Sequence, residues 1–156
     1  MLIYDNDLTN QILDTASAAL NRPRFELMEG LATYLVSHPN TESLLRLLRF
    51  SGDTLIEFLY SLDEFPDRAR LAVSDFDLPE LDLRDQTATQ YSLICRSPIA
   101  GTGQVFIGIL SAMADDYGTL VILEHLGASE GIETISISLL ACEFLTGRRF
   151  NLGGQR

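Results

Sequence analysis

The chain has 156 residues, 46% of them hydrophobic and 21% charged, which suits one ordinary folded domain and argues against disorder. Eleven arginines and no lysine stand against 22 carboxylates, a formal charge of −11, and that field repels nucleic-acid phosphates and anionic membrane surfaces. No apolar run nears the roughly 20 residues of a membrane span, no basic-then-apolar leader opens the chain, and two cysteines, Cys95 and Cys142, fit a reducing cytoplasmic setting.

The first half reads as helix. Leu8, Ile12, Leu13, Ala16, Ala19 and Leu20 recur at helical spacing until Asn21-Arg22-Pro23 ends the run. Pro23 suits the first turn of a second helix striped by Phe25, Met28, Leu31, Ala32 and Leu35, which His38-Pro39-Asn40 breaks. A third helical stretch starts at about Thr41 and carries Leu44, Leu45, Leu47 and Leu48. Ser51-Gly52 interrupts it, and helix resumes through Leu55, Phe58 and Leu59. Ser61-Leu62-Asp63-Glu64 has the spacing of a capping box, so a further helix is expected to start there. From Asp63 to Asp85, eight carboxylates face three arginines, a net charge of −5. Two readings fit: a solvated helix face followed by an exposed loop, or a docking surface for a basic partner.

The second half changes period. Tyr91, Leu93, Cys95 and Ser97 alternate with Ser92, Ile94 and Arg96 as the two faces of a strand. After the turn at Ser97-Pro98 and Gly101 to Gly103, Phe106, Leu110, Met113 and Tyr117 mark a helix closed by Gly118. Thr119 to Leu126 and Ile132 to Leu140 form a hairpin around a loop at Gly127 to Gly131. The fold class is therefore α+β, N-terminal helices followed by an antiparallel sheet with one inserted helix. One domain spans 1–156, mainly helical over 1–74, sheet over 75–145 with the helix at about 103–117, and a tail over 146–156.

Little in these residues points to catalysis. His38 and His125 have no second His or Cys at ligand spacing, so no metal site is expected, and both histidines read as structural or solvated. Cys95 and Cys142 lie in apolar contexts where a thiol behaves as a small hydrophobe. No nucleophile elbow, phosphate loop or dinucleotide fingerprint occurs, and Gly101-Thr102-Gly103 lacks a third glycine. No catalytic residue is assigned, and the chain is expected not to be an enzyme.

Three stretches carry a resemblance. Leu55 to Phe65, Cys95-Arg96-Ser97-Pro98-Ile99-Ala100-Gly101 and Phe106 to Leu110 resemble segments of the heme-nitric oxide/oxygen binding (H-NOX) family. The run from Tyr4 to Val36 is similar in pattern to that family's middle helices. Vinyl-reductase-type and transport-protein-particle ligand-binding domains share the general layout. The resemblance implies the H-NOX fold and a heme hung from one histidine. It places Pro66 at that histidine's position, and proline's ring nitrogen is already an amide with no lone pair for iron. The family's Tyr-x-Ser-x-Arg propionate motif falls on Cys95, Ser97 and Ile99, of which the serine alone matches. Arg96 is adjacent but lies on the opposite strand face by parity. The chain also starts, on this resemblance, after helices that cover the distal side of the heme. A second subunit or partner would then cover the exposed pocket wall, or Phe58, Leu62, Phe65 and Met113 would line or fill the vacated volume, collapse being favoured because close packing is the default.

The expected function is a heme-free H-NOX-like sensory or regulatory domain, with no cofactor, acting through protein contacts or a non-heme small ligand. Two alternatives stand beside it. One is a heme-dependent nitric oxide or oxygen sensor with a non-standard axial ligand drawn from His125, His38 or Cys95. The other is an acidic adaptor that pairs with a signalling protein or with itself.

Overall fold

The computed structural model describes residues 5–39, 46, 48–72 and 78–140. Its first helix, α1 (Asn6–Leu20), is capped by the Asp5 carboxylate, which accepts from Asp7 N–H at 3.2 Å, and it ends on Asn21 in the left-handed region, φ 49°. The second, α2 (Arg24–Ser37), starts one residue later than expected: Pro23 is extended and precedes the helix instead of forming its first turn. Helix α1 buries no residue completely. It is tied down by polar contacts centred on Arg24, whose guanidinium donates to Asn10 Oδ1, to Asp14 Oδ1 at 2.8 Å and to Ala100 O at 2.9 Å. Asn10 Nδ2 adds a bond to Pro98 O at 3.2 Å.

The expected start of the third helix, at residues 40–45 and 47, lies outside the described residues, as do Cys142 and the tail. Thr54 caps α3 (Leu55–Ser61), its hydroxyl accepting from Glu57 N–H at 3.2 Å. A 3-10 turn over Leu62–Glu64 follows, and then α4 (Phe65–Ala72). The expected capping box is not made. Ser61 is still helical, φ −77° and ψ −12°, and its hydroxyl donates back to Phe58 O at 2.7 Å. Helical winding therefore runs through Ser61 without a fresh start. Pro66 falls where the 3-10 turn passes into α4, and Phe65 N–H bonds to Leu62 O in the three-residue pattern. A missing N–H is tolerated at such a junction because the four-residue ladder is already interrupted there.

Four antiparallel strands follow in the order β1-β2-β4-β3: β1 (Glu80–Asp85), β2 (Gln90–Arg96), β3 (Val121–Ser129) and β4 (Ile132–Leu139). Helix α5 (Thr102–Asp116) is inserted between β2 and β3. Strand β1 corrects the reading of 63–85 as a helix face and an exposed loop, since its last six residues pair with β2 as an edge strand, Leu81 opposite Cys95 and Leu83 opposite Leu93. Carboxylates of that acidic stretch are engaged within the fold. Asp63 Oδ1 accepts from Leu83 N–H at 2.7 Å, Asp85 accepts from Tyr60 Oη at 3.1 Å, and Asp82 pairs with Arg84 at 3.0 Å.

Strand β2 alternates as its sequence predicts, with Tyr91, Leu93 and Cys95 buried against the helices. Ile135 and Ile137 on β4 and Phe106, Leu110 and Met113 on α5 complete the same core. Helix α5 ends at Gly118, φ 62°, with Thr119 N–H bonding to Ala114 O and Gly118 N–H to Asp115 O, the paired closure of a Schellman motif. The hairpin is tighter than expected. Strand β3 runs on to Ser129, a register shift at Gly127 absorbs the extra residue, and Glu130 and Gly131, φ 51° and 77°, form a two-residue turn. Helices α2 and α5 meet at Ala32 and Gly108, where a β-carbon on Gly108 would lie 2.2 Å from that of Ala32.

Candidate functional site

Between α1, α2, α4, α5 and the turn before α5 lies a cavity of about 280 Å3. Its fourteen described lining residues include no charged side chain, and among them Thr9 and Thr102 are the sole hydroxyl carriers. Helix α1 contributes Thr9 and Leu13, α2 contributes Met28, Leu31 and Leu35, and α5 contributes Val105, Phe106 and Ile109 beside Thr102. Of the side chains expected to line or fill a vacated volume, Phe65 lines this cavity, while Phe58, Leu62 and Met113 are packed in the core. Three of the four large side chains lie in the core, and an apolar space remains beside the fourth.

Leu78, Pro79, Ile99 and Thr102 also line a second, open cleft of about 590 Å3. This cleft carries charge of both signs, Arg70 and Arg96 against Glu80 and Glu130. Ser97 and Ile99 line it; Cys95 does not. The Ser97 hydroxyl oxygen accepts from Ile99 N–H at 3.1 Å and lies 2.9 Å from Thr102 Oγ1, so it fastens the turn into α5. Cys95 points into the core, and burial first, then the Glu133 charge, pushes its thiol up to about 12. A thiol held that firmly protonated supplies no thiolate. Pro66 is buried one residue from the cavity-lining Phe65 and is absent from both linings.

The turn that divides cavity from cleft is held by a group the sequence reading passed over. Glu133 is 5% exposed, and its carboxylate accepts from Gly101 N–H at 2.9 Å and Gly103 N–H at 3.1 Å, at the N-terminus of α5. His125 Nε2 lies 2.8 Å from Glu133 Oε2. A carboxylate on the amides of a first helical turn is favoured by direct bonds and by the helix dipole. A β-carbon at 103 would stand 2.6 Å from Glu133 Oε2, so a larger residue there would push the carboxylate off the turn. The signal was present in the sequence, because Glu133 keeps step with Ile135 and Ile137 on the covered face of β4. His125 is thus joined to Glu133 within the fold. His38, the other imidazole, stacks on Tyr34 with ring centroids 4.3 Å apart.

These observations decide how well a heme fits. Protein-bound heme takes an axial imidazole, thiolate, thioether or phenolate, and its two propionates are usually met by cations. Among its described lining residues the cavity offers one candidate donor, the Met28 thioether, and no guanidinium or imidazole. The residues in place do not fit a heme held in the family's manner.

The comparisons agree with this architecture. A sequence model described as Haem-NO-binding matches residues 1–125. No curated protein matches the chain. Among solved structures, the fold is similar to the Fe(II) unliganded H-NOX protein from K. algicida, with TM-score 0.72 and 19% identity, covering 99% of this chain and 79% of that one. It is similar as well to an H-NOX protein from S. oneidensis in the Fe(II)NO ligation state, with TM-score 0.71 and 14% identity over 89% of this chain and 78% of that one. A mutant of T. Tengcongensis H-NOX gives TM-score 0.67 at 14% identity, over 89% of this chain and 76% of that one. Identities this low carry the fold alone, and it is the α+β arrangement expected from the sequence. Membership follows from the sequence model, which covers most of the chain: this protein belongs to the haem-NO-binding, or H-NOX, family.

Proposed function

We propose that this domain is a heme-free member of its family. It is a cytoplasmic sensory or regulatory module, not an enzyme, working through a non-heme small ligand or through protein contacts. The observation that carries the reading is the cavity wall, about 280 Å3 of space whose described lining holds one thioether, Met28, and no imidazole, thiolate, phenolate or cation. The family resemblance supports it from the sequence side, with Pro66 where iron would need a lone pair and Cys95 and Ile99 where the propionates would need Tyr and Arg. Neither Cys95, buried in the core, nor His125, joined to Glu133, is on the cavity's described lining. Among the described residues, no helix is long and apolar enough to cross a membrane.

An adaptor or self-pairing role is favoured by a separate observation. Ile12 and Leu20 on α1 are 57% and 61% exposed, and Phe50 is 83% exposed. Such apolar surface suits a second subunit or a signalling partner.

Heme titration of the purified chain tests the main reading. Ferrous heme is expected to add absorbance as free heme, without saturation and with spectra, before and after nitric oxide, that the protein does not alter. A saturable Soret band that shifts with nitric oxide would overturn the reading. Single replacements of His125, His38 and Cys95 would then identify the ligand.

A further inference from the structure

We infer that the open edge of β3 is a pairing surface for a second copy of this chain, the two strands joining antiparallel about an axis through Leu123. This rests on the self-pairing reading and moves the contact from α1 to the sheet.

The two edges of the sheet are built differently. Strand β1 is blunted: Glu80, Asp82, Arg84 and Asp85 lie along it, and the Asp63 carboxylate occupies Leu83 N–H at 2.7 Å. Beside β3, Leu140 N–H bonds to Leu120 O at 2.9 Å. Antiparallel alternation then turns the backbone groups of Leu120, Ile122 and Glu124 toward β4 and those of Val121, Leu123 and His125 outward. Among the described residues, no group bonds to these outward amides and carbonyls. The stretch is regular, because the register shift comes after His125, and it holds no lysine, arginine or proline.

The side chains choose the occupant. On the outer face of this edge Leu120, Ile122 and Leu126 are exposed, and Glu124 is the one charge among them. A charged partner has little to recognise there, whereas a strand edge turned about a twofold axis matches its own donors and acceptors. The same residues set the register. An axis at Glu124 would face that carboxylate with its own copy, and an axis at Ile122 would set each Leu120 against Glu124. An axis at Leu123 joins Val121 to the second copy's His125 through the backbone, places Glu124 beside Ile122, and brings Leu120 onto Leu126 in both halves.

Sedimentation velocity of the full chain over a concentration series tests the assignment, with heme content read on the same samples. A reversible monomer–dimer equilibrium is expected, with dissociation in the micromolar range of small contacts. Added salt should tighten it, because two copies of charge −11 repel at long range; weakening by salt would mark an ion-paired contact and overturn the inference. Leu120→Glu and Leu126→Arg, both at exposed positions, should keep the circular dichroism native. Each should weaken the dimer about tenfold, since symmetry counts each loss twice. Mixed in equal amounts, the two variants should dimerise again, one leucine contact surviving and the other becoming an ion pair. A chain that is monomeric at every concentration overturns the inference. A dimer that both variants leave intact overturns the edge and returns the contact to α1, and a mixture that fails to recover overturns the axis at Leu123. A colourless monomer sinks this inference while the heme-free reading stands; a red dimer does the reverse.

Discussion

Replacing Glu133 is expected to be the most damaging single polar change among the described residues. Its carboxylate accepts three bonds in a nearly sealed site, from Gly101 N–H, Gly103 N–H and His125 Nε2 at 2.9, 3.1 and 2.8 Å. Bonds to a charged group contribute about 1.5–3 kcal/mol each, and orphaned buried donors add their own desolvation cost. Partial exposure of His125, 22% of its side chain, lets water recover part of the loss. Glu133→Ala should therefore cost about 3–5 kcal/mol, comparable with breaking a buried ion pair. Glu133→Gln keeps the volume and one acceptor and should cost about 1–2 kcal/mol. Urea unfolding followed by circular dichroism measures both, and in a domain of this size the alanine variant's Tm should fall by about 10 °C. Because Glu133 fixes the turn that carries Ile99 and Thr102, the alanine variant should also bind cavity ligands less tightly. A loss below about 0.5 kcal/mol in Glu133→Ala, within the range of ordinary surface changes, would refute the reasoning.

Other outcomes follow from packing and burial. Gly30→Ala and Gly108→Ala should have opposite signs in urea unfolding. Nothing lies within 4 Å of a β-carbon at Gly30, so helix propensity alone adds about 0.5–1 kcal/mol of stability. At Gly108 the new methyl lands 2.2 Å from Ala32 Cβ, and forcing α2 and α5 apart should cost about 1–3 kcal/mol. Cys95, in a Cys142→Ser background, should resist alkylation below pH 9 until the chain unfolds. Its folded thiol pKa, about 12, lies above the ordinary 9.0, so its contribution to stability is complete below pH 9 and drains away as pH rises toward 12. The urea midpoint should therefore fall more steeply over that range than in Cys95→Ala. Arg24→Ala should cost about 1 kcal/mol or less, since one of its partners, Asp14, is 70% exposed. Amide exchange should then quicken in α1 and stay slow in β2.

Local patterns carried much of the fold. Period two in Tyr91, Leu93 and Cys95, the helical stripe of Phe106, Leu110 and Met113, and the stop at Gly118 each depend on neighbours a few residues away, and each stands in the structure. Strand β1 was hidden because carboxylates and an arginine alternate with Leu81 and Leu83, and a charged edge strand reads like a loop. The Ser61-to-Glu64 spacing misled for the converse reason: Ser61 was already inside a helix, where its hydroxyl turns back to Phe58 O. The cavity is a void bounded by residues from Thr9 to Ile109, and no periodicity marks the place where packing stops short. Glu133 was legible in principle, as a charge in phase with Ile135 and Ile137. Its partners at Gly101, Gly103 and His125 needed the β3–β4 register to be seen.

The central claim is tested most directly by counting heme and iron in the purified chain after expression with heme precursors supplied in excess. A colourless protein with both far below one per chain is the predicted result. Red protein carrying one iron and one protoporphyrin per chain would contradict the account, whatever residue proved to hold the metal.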